Sequence, residues 1–118
     1  RWVCNDFLAA GAFDLIQPDV SRAGGISESK RISDLAEIYN VPFAPHVSIG
    51  TAIYMAASLQ WAAAGPNLLM CEWPLEGSVL GDGVLAEPFV FESGFVQVPQ
   101  RPGLGIAVDE TALRRWAA

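Results

Sequence analysis

Positive charge is scarce in this sequence. Seven Lys and Arg stand against thirteen Asp and Glu, for a net charge of −6 and no basic run. A phosphate backbone is neutralised by clustered Lys and Arg, so nucleic acid is not an expected partner. Long apolar runs are also missing. The richest stretch, Ala52 to Ala64, is broken by Ser58 and Gln60 and falls short of the roughly 20 residues that span a bilayer. No membrane partner is expected, and the opening RWVCNDFLAAG lacks the basic flank, apolar run and cleavage site of a secretory leader. Cysteine is limited to Cys4 and Cys71, too far apart for a CxxC motif or a metal-ligand pair, and a reduced, cytoplasmic compartment is expected. Histidine occurs once, at position 46, inside VPFAPHVSIG. A solitary imidazole is more often a hydrogen-bonded packing residue than a catalyst, so its surroundings have to decide its role.

What the sequence has in quantity is apolar side chain. Of 118 residues, 52% are hydrophobic and 17% charged, which is ample for the core of one globular domain. Periodicity gives a helix over residues 2 to 10 stopped by Gly11, then a β-rich run, FDLIQPDV, that ends in Asp19. After the turn SRAGG, Ser27 is the expected N-cap of a helix to about Tyr39, with Ile32, Leu35, Ala36 and Ile38 or Tyr39 inward. PFAPH is a second short strand, ending in His46. A helix apolar nearly all round follows, from about Gly50 to Ala64, and NLLMCEW is a third strand that reaches Glu72.

These strand ends recur regularly. Asp19 and His46 are 27 residues apart, and His46 and Glu72 are 26 apart. Strand, helix and strand at that spacing require a right-handed parallel crossover. Parallel strands share a direction, so Asp19, His46 and Glu72 emerge together on the carboxyl-terminal edge, where α/β folds build their sites. The lone histidine is thereby flanked by two acids, which favours a functional role over packing.

The fold class expected is α/β: strands near 13–19, 43–46 and 68–72 in a first region, 1–74, and a tail, 75–118, with a hairpin turning at Ser93 and Gly94 and a short helix capped by Asp109. Three parallel strands leave two open edges and cannot cover both faces of their helices. The chain is therefore expected to be the last part of a longer one. Units of this length match a closed (β/α) barrel, which takes about 250 residues.

The segments QPDVSRAGGI, PH at the next strand end and EWP at the one after resemble the sixth, seventh and eighth strands of an enolase-superfamily barrel of the mandelate racemase and muconate lactonizing enzyme family. The tail GSVLGDGVLAEPFVFESGFVQVPQRPGLGI is similar to the family's ending, which returns toward a capping domain. The resemblance implies that His46 is the base that takes or returns the proton α to a carboxylate, and that Asp19 orients the imidazole and raises its basicity. It also implies that a protonated Glu72 donates a hydrogen bond to the developing enediolate. It implies Mg²⁺ as cofactor, held by acids on strands upstream of Arg1, so that no metal ligand lies in this chain and the isolated chain is inactive.

Closer similarity of CEWPLEG and GDGVLAEPF to acid-sugar dehydratases makes a sugar-acid dehydratase the leading expectation, with racemisation or epimerisation of a 2-hydroxy acid as the alternative. The expected partners are a small carboxylate substrate and further copies of the full-length protein. Trp73 is placed either in the site or under the tail, and Arg22 either at the substrate or on a surface acid; both are carried as candidate substrate-binding residues. Trp2, Trp61 and Trp116 are expected to pack, and Gly24-Gly25 to make a tight turn and not a phosphate cradle. From another class, a receiver or binding module would use Asp19 as a modified or metal-binding acid. That reading wants a lysine at a strand end, whereas the only lysine, Lys30, falls on a helix. An inactive truncated segment is the remaining alternative.

Overall fold

The computed structural model describes residues 1–74 and 80–116; the expected turn-rich stretch after Pro74 lies in part, at 75–79, outside the described residues. Helix α1, Trp2–Ala9, buries Leu8 and is followed by Gly11 at φ 63°, a left-handed position that glycine takes without strain. The chain then extends to Asp19. The turn expected at SRAGG holds a one-turn helix, α2, Val20–Ala23, because the Asp19 carboxylate accepts the amides of Ser21 and Arg22 and so caps it. Gly24 and Gly25, at φ 107° and 93°, redirect the chain into α3, Ile26–Ile38.

Two expectations for α3 need correction. Its cap is Gly25 and not Ser27, since the glycine pair completes the reorientation two residues early and leaves Ser27 in the first turn. Its inner stripe is Ser29, Ile32, Ser33 and Ala36, a 3.6-residue period that turns Ile38 outward to 75% exposure. Small serines on that stripe admit the neighbouring helix α4, Ala52–Ala64. The Ser33 hydroxyl accepts the buried Trp61 indole N–H at 3.2 Å.

The three segments expected as strands do run parallel and in the expected order, but as extended chain with single bridges, Ile16 to Phe43 and Phe43 to Leu68. Pro18, Pro42 and Pro45 have no amide hydrogen to give a ladder, which limits pairing to bonds such as Ala44 N–H to Ile16 O and Leu69 N–H to Phe43 O. The bond from His46 N–H to Pro18 O, 3.0 Å, sets the ends of the first two segments side by side.

Helix α4 divides the interior. On one side Trp61 stacks on Phe43, with centroids 5.0 Å apart, in a cluster with Leu8, Ile16, Val20, Ile32 and Ala36. On the other, Met55, Ala56 and Leu59 meet Val47 and Phe89. Trp2 and Trp116 do not pack as expected: they are 75% and 56% exposed. In the tail, β1, Phe91–Glu92, pairs antiparallel with β2, Phe95–Val96, through Ser93 and Gly94, both at positive φ. Asp109 caps α5, Glu110–Arg114, by accepting the amides of Thr111 and Ala112. The Gln60 side-chain amide ties α4 to the tail through the carbonyls of Pro99 and Leu104. Among the described residues, no helix is long and apolar enough to cross a membrane.

Gly65, which follows α4, is a packing requirement. A Cβ there would stand 2.3 Å from Cε1 of Phe43, a ring wedged against Trp61 with no room to yield. Gly65→Ala is expected to destabilise the fold by about 1–3 kcal/mol, read as a lower denaturation midpoint; an unchanged midpoint would contradict this packing.

Candidate active site

Asp19, His46 and Glu72 stand at the ends of three parallel segments, and the structure connects them through hydrogen bonds. Asp19 is 8% exposed and uses both carboxylate oxygens. Its Oδ1 accepts the Ser21 amide at 2.8 Å, the Ser21 hydroxyl at 2.6 Å and the Arg22 amide at 3.2 Å. Its Oδ2 lies 2.9 Å from Nδ1 of His46 and accepts the Tyr54 hydroxyl at 2.9 Å. Burial works to raise the pKa of this carboxyl, but the bonds from Ser21, His46 and Tyr54 together outweigh it and hold the group well below the usual carboxylate range.

An ionised Asp19 accepts at Nδ1 and therefore fixes the neutral imidazole as the Nδ1–H tautomer. Nε2 is left as the ring nitrogen that can take a proton. The His46 side chain is 39% exposed and lines an open recess with Gln17, Pro18, Asp19, Arg22 and Ala23. A buried acid behind a half-exposed imidazole is an arrangement for moving protons between Nε2 and a molecule in that recess.

Glu72 reaches the next residue along: its Oε2 accepts the Val47 amide at 2.9 Å. It is exposed, and here it is an acceptor, in contrast to the donor role expected toward a substrate carboxylate. Arg22 is exposed on the rim of the recess. Trp73 stands under the tail, edge-on to Phe89 at 5.1 Å and to Phe91 at 5.2 Å. Burial, with the charge of Glu72 adding to it, pushes the Cys71 thiol up to about 11, which keeps it protonated and poorly nucleophilic.

Tyr54 and Ser21 escaped the sequence reading. Tyr54 is the one phenol on the apolar helix α4, eight residues beyond His46, and that is its only sequence signal. Ser21 gives none, because a serine after a strand-end acid is ordinary turn chemistry. Among the described residues, no group of three or more His, Cys, Asp or Glu could hold a metal ion, so the donors present do not fit the magnesium that the resemblance implies.

A family model described as enolase C-terminal domain-like matches residues 1–112. The D-xylonate dehydratase of Haloferax volcanii is 36% identical over 106 residues, covering 90% of this chain and 26% of that protein. The D-galactarolactone cycloisomerase of Agrobacterium fabrum is 38% identical over 117 residues, covering 92% and 31%. The crystal structure of a mandelate racemase/muconate lactonizing enzyme from Sulfitobacter sp. superposes with a TM-score of 0.82 at 38% identity, covering 94% of this chain and 27% of that one. The chain thus spans about a quarter to a third of the length of the curated relatives it matches.

The lowered pKa of Asp19 has a measurable consequence. A carboxyl whose folded pKa lies below its unfolded value, about 3.9, stabilises the fold fully above that value and loses the contribution as pH falls further. Denaturation midpoints of the parent and of Asp19→Asn, taken from pH 5 down to 2, are expected to converge on acidification. A gap that stays constant would mean Asp19 is not held ionised.

Proposed function

The chain belongs to the enolase C-terminal domain-like family, in its mandelate racemase and muconate lactonizing branch, and from that membership we propose that it supplies the acid–base half of a larger active site that removes the proton α to the carboxylate of a sugar acid. The observation that carries this reading is the 2.9 Å contact between Nδ1 of His46 and an Asp19 held ionised by its other donors.

In the proposed reaction Nε2 of His46 takes the α-proton. The electrons of the broken Cα–H bond move into the substrate carboxylate and form an enediolate, while the positive charge that develops on the imidazole is stabilised by Asp19. The enediolate collapses to form a Cα–Cβ double bond and expels the β-hydroxyl, to which His46 returns its proton, so that water departs. The enol left behind tautomerises to a 2-keto-3-deoxy acid. Glu72, carried to the same edge, is proposed to donate to the substrate carboxylate when protonated, and Arg22 to meet the anionic substrate at the rim of the recess. The site of Trp73 under the tail favours a supporting role for it.

Dehydration is preferred because a sugar-acid dehydratase is among the relatives. The cycloisomerase relative supports a second reading, in which His46 returns the proton to carbon and the outcome is isomerisation. No step above runs through a metal ion. The magnesium implied by the resemblance is proposed to be held by residues outside this chain, which is accordingly proposed to be inactive alone.

In the longer protein that contains this chain, His46→Asn is expected to abolish turnover of a panel of aldonic acids while leaving the thermal midpoint nearly unchanged. Retained turnover would overturn the assignment of the base.

A further inference from the structure

Tyr54 is unexplained by the proton transfer just described, yet its hydroxyl lies at the centre of the site. It donates toward Asp19 Oδ2 at 2.9 Å and toward the His46 carbonyl at 2.8 Å, and it accepts the Ser48 amide at 3.1 Å. Two stretches of chain therefore meet through three contacts on one oxygen carried by α4: the end of the segment bearing the acid, and the run from the peptide of the base to Ser48. Resting on the reading of His46 as the base, we propose that Tyr54 is a positioning residue that holds Asp19 and His46 in register and sets how strongly Asp19 favours the charged imidazole.

The phenol has one proton, and an ionised carboxylate is a stronger acceptor than a peptide carbonyl, so Asp19 takes the greater share. Oδ2 then divides its charge between two donors, the Tyr54 hydroxyl and Nδ1–H of His46. Strengthening one bond weakens the other. Burial pushes the Tyr54 phenol upward, the Ser48 amide draws it partly back, and the charges of Asp19 and Glu72 add to the rise, so the hydroxyl stays a donor throughout the neutral range.

Local sequence makes room for this contact. Thr51 caps α4 by accepting the Tyr54 amide, which starts the helix where Tyr54 falls on the turn nearest His46. Gly50 lets the ring approach: a Cβ there would stand 2.4 Å from its Cδ1. The charged and titratable groups around His46 are Asp19 behind it, Tyr54 on α4, Glu72 against the Val47 amide and Arg22 on the rim. Removing the Tyr54 hydroxyl alters one of these four and leaves the other three in place.

The test is Tyr54→Phe in the longer enzyme, assayed on the aldonic-acid panel across pH beside His46→Asn. Loss of the hydroxyl concentrates the Asp19 charge on Nδ1–H and favours the imidazolium, so the acid limb of kcat/KM is expected to move to higher pH. With the dyad less firmly held, kcat is expected to fall by roughly tenfold to a hundredfold with little change in KM. The limb decides: if it does not move, the proposal is overturned even where kcat falls, because a general structural defect lowers rate without retuning the base. Full turnover by His46→Asn would instead overturn the reading on which the proposal rests. Should Tyr54→Phe fail to fold, 3-fluorotyrosine at position 54 keeps the size and makes a stronger donor. The acid limb should then move to lower pH, and an unmoved limb again overturns the role.

Discussion

The arrangement of this chain depends on one buried carboxylate. Asp19 ends the first extended segment, caps α2 through Oδ1, and through Oδ2 holds both the imidazole of the next segment and the phenol of α4. A charge in that position would be costly without these donors, since an isolated carboxylate taken from water loses its hydration without replacement. Capping, segment alignment and site geometry are therefore one hydrogen-bonded unit. A change that loosens the start of α2 reaches the imidazole of His46, and a change in α4 reaches the carboxylate behind it.

Below that unit, packing fixes the distances. The Phe43 and Trp61 stack binds α4 against the middle segment, and the Ser33 hydroxyl receives the Trp61 indole from the α3 side. The same helix thus carries core residues on faces toward both clusters and a polar tip on its first turn. An all-apolar helix could pack as well, but it would present nothing to the edge where the polar residues emerge. The tail is tied to this helix too, through Gln60, so the covering elements share the scaffold of the site.

The features legible in the sequence are those set by long repeats and strong local signals. The regular interval from Asp19 to His46 to Glu72 implied a common edge, and the apolar run before Gly65 implied a buried helix. Cap chemistry identified Asp109, where an acid precedes a polar first turn. What escaped depends on backbone conformation or on contacts between distant residues. Ser27 has the right side chain for a cap, but Gly25 owns the φ that begins the helix. Short apolar segments between turn signals read as strands, although prolines at 18, 42 and 45 leave them only single bridges. Tyr54 was not singled out, because nothing in local spacing shows that its hydroxyl meets an acid 35 residues earlier in the chain.

The hydrogen-bond count at Asp19 also bears on how strong a base His46 can be. An anion beside an imidazole raises its basicity by stabilising the charged form, and that effect is greatest when the anion has no other partner. Asp19 has several: two contacts from Ser21, one from Arg22 and one from Tyr54 share its charge with His46. Each of these donors helps keep the carboxylate ionised in a buried place, and each leaves less of its field for the imidazole. The site therefore spreads the charge of one carboxylate over several donors and gains a fixed tautomer and a fixed ring. In the proposed reaction, where His46 takes a proton from carbon and gives it to a departing hydroxyl, a fixed ring and a fixed tautomer serve both transfers.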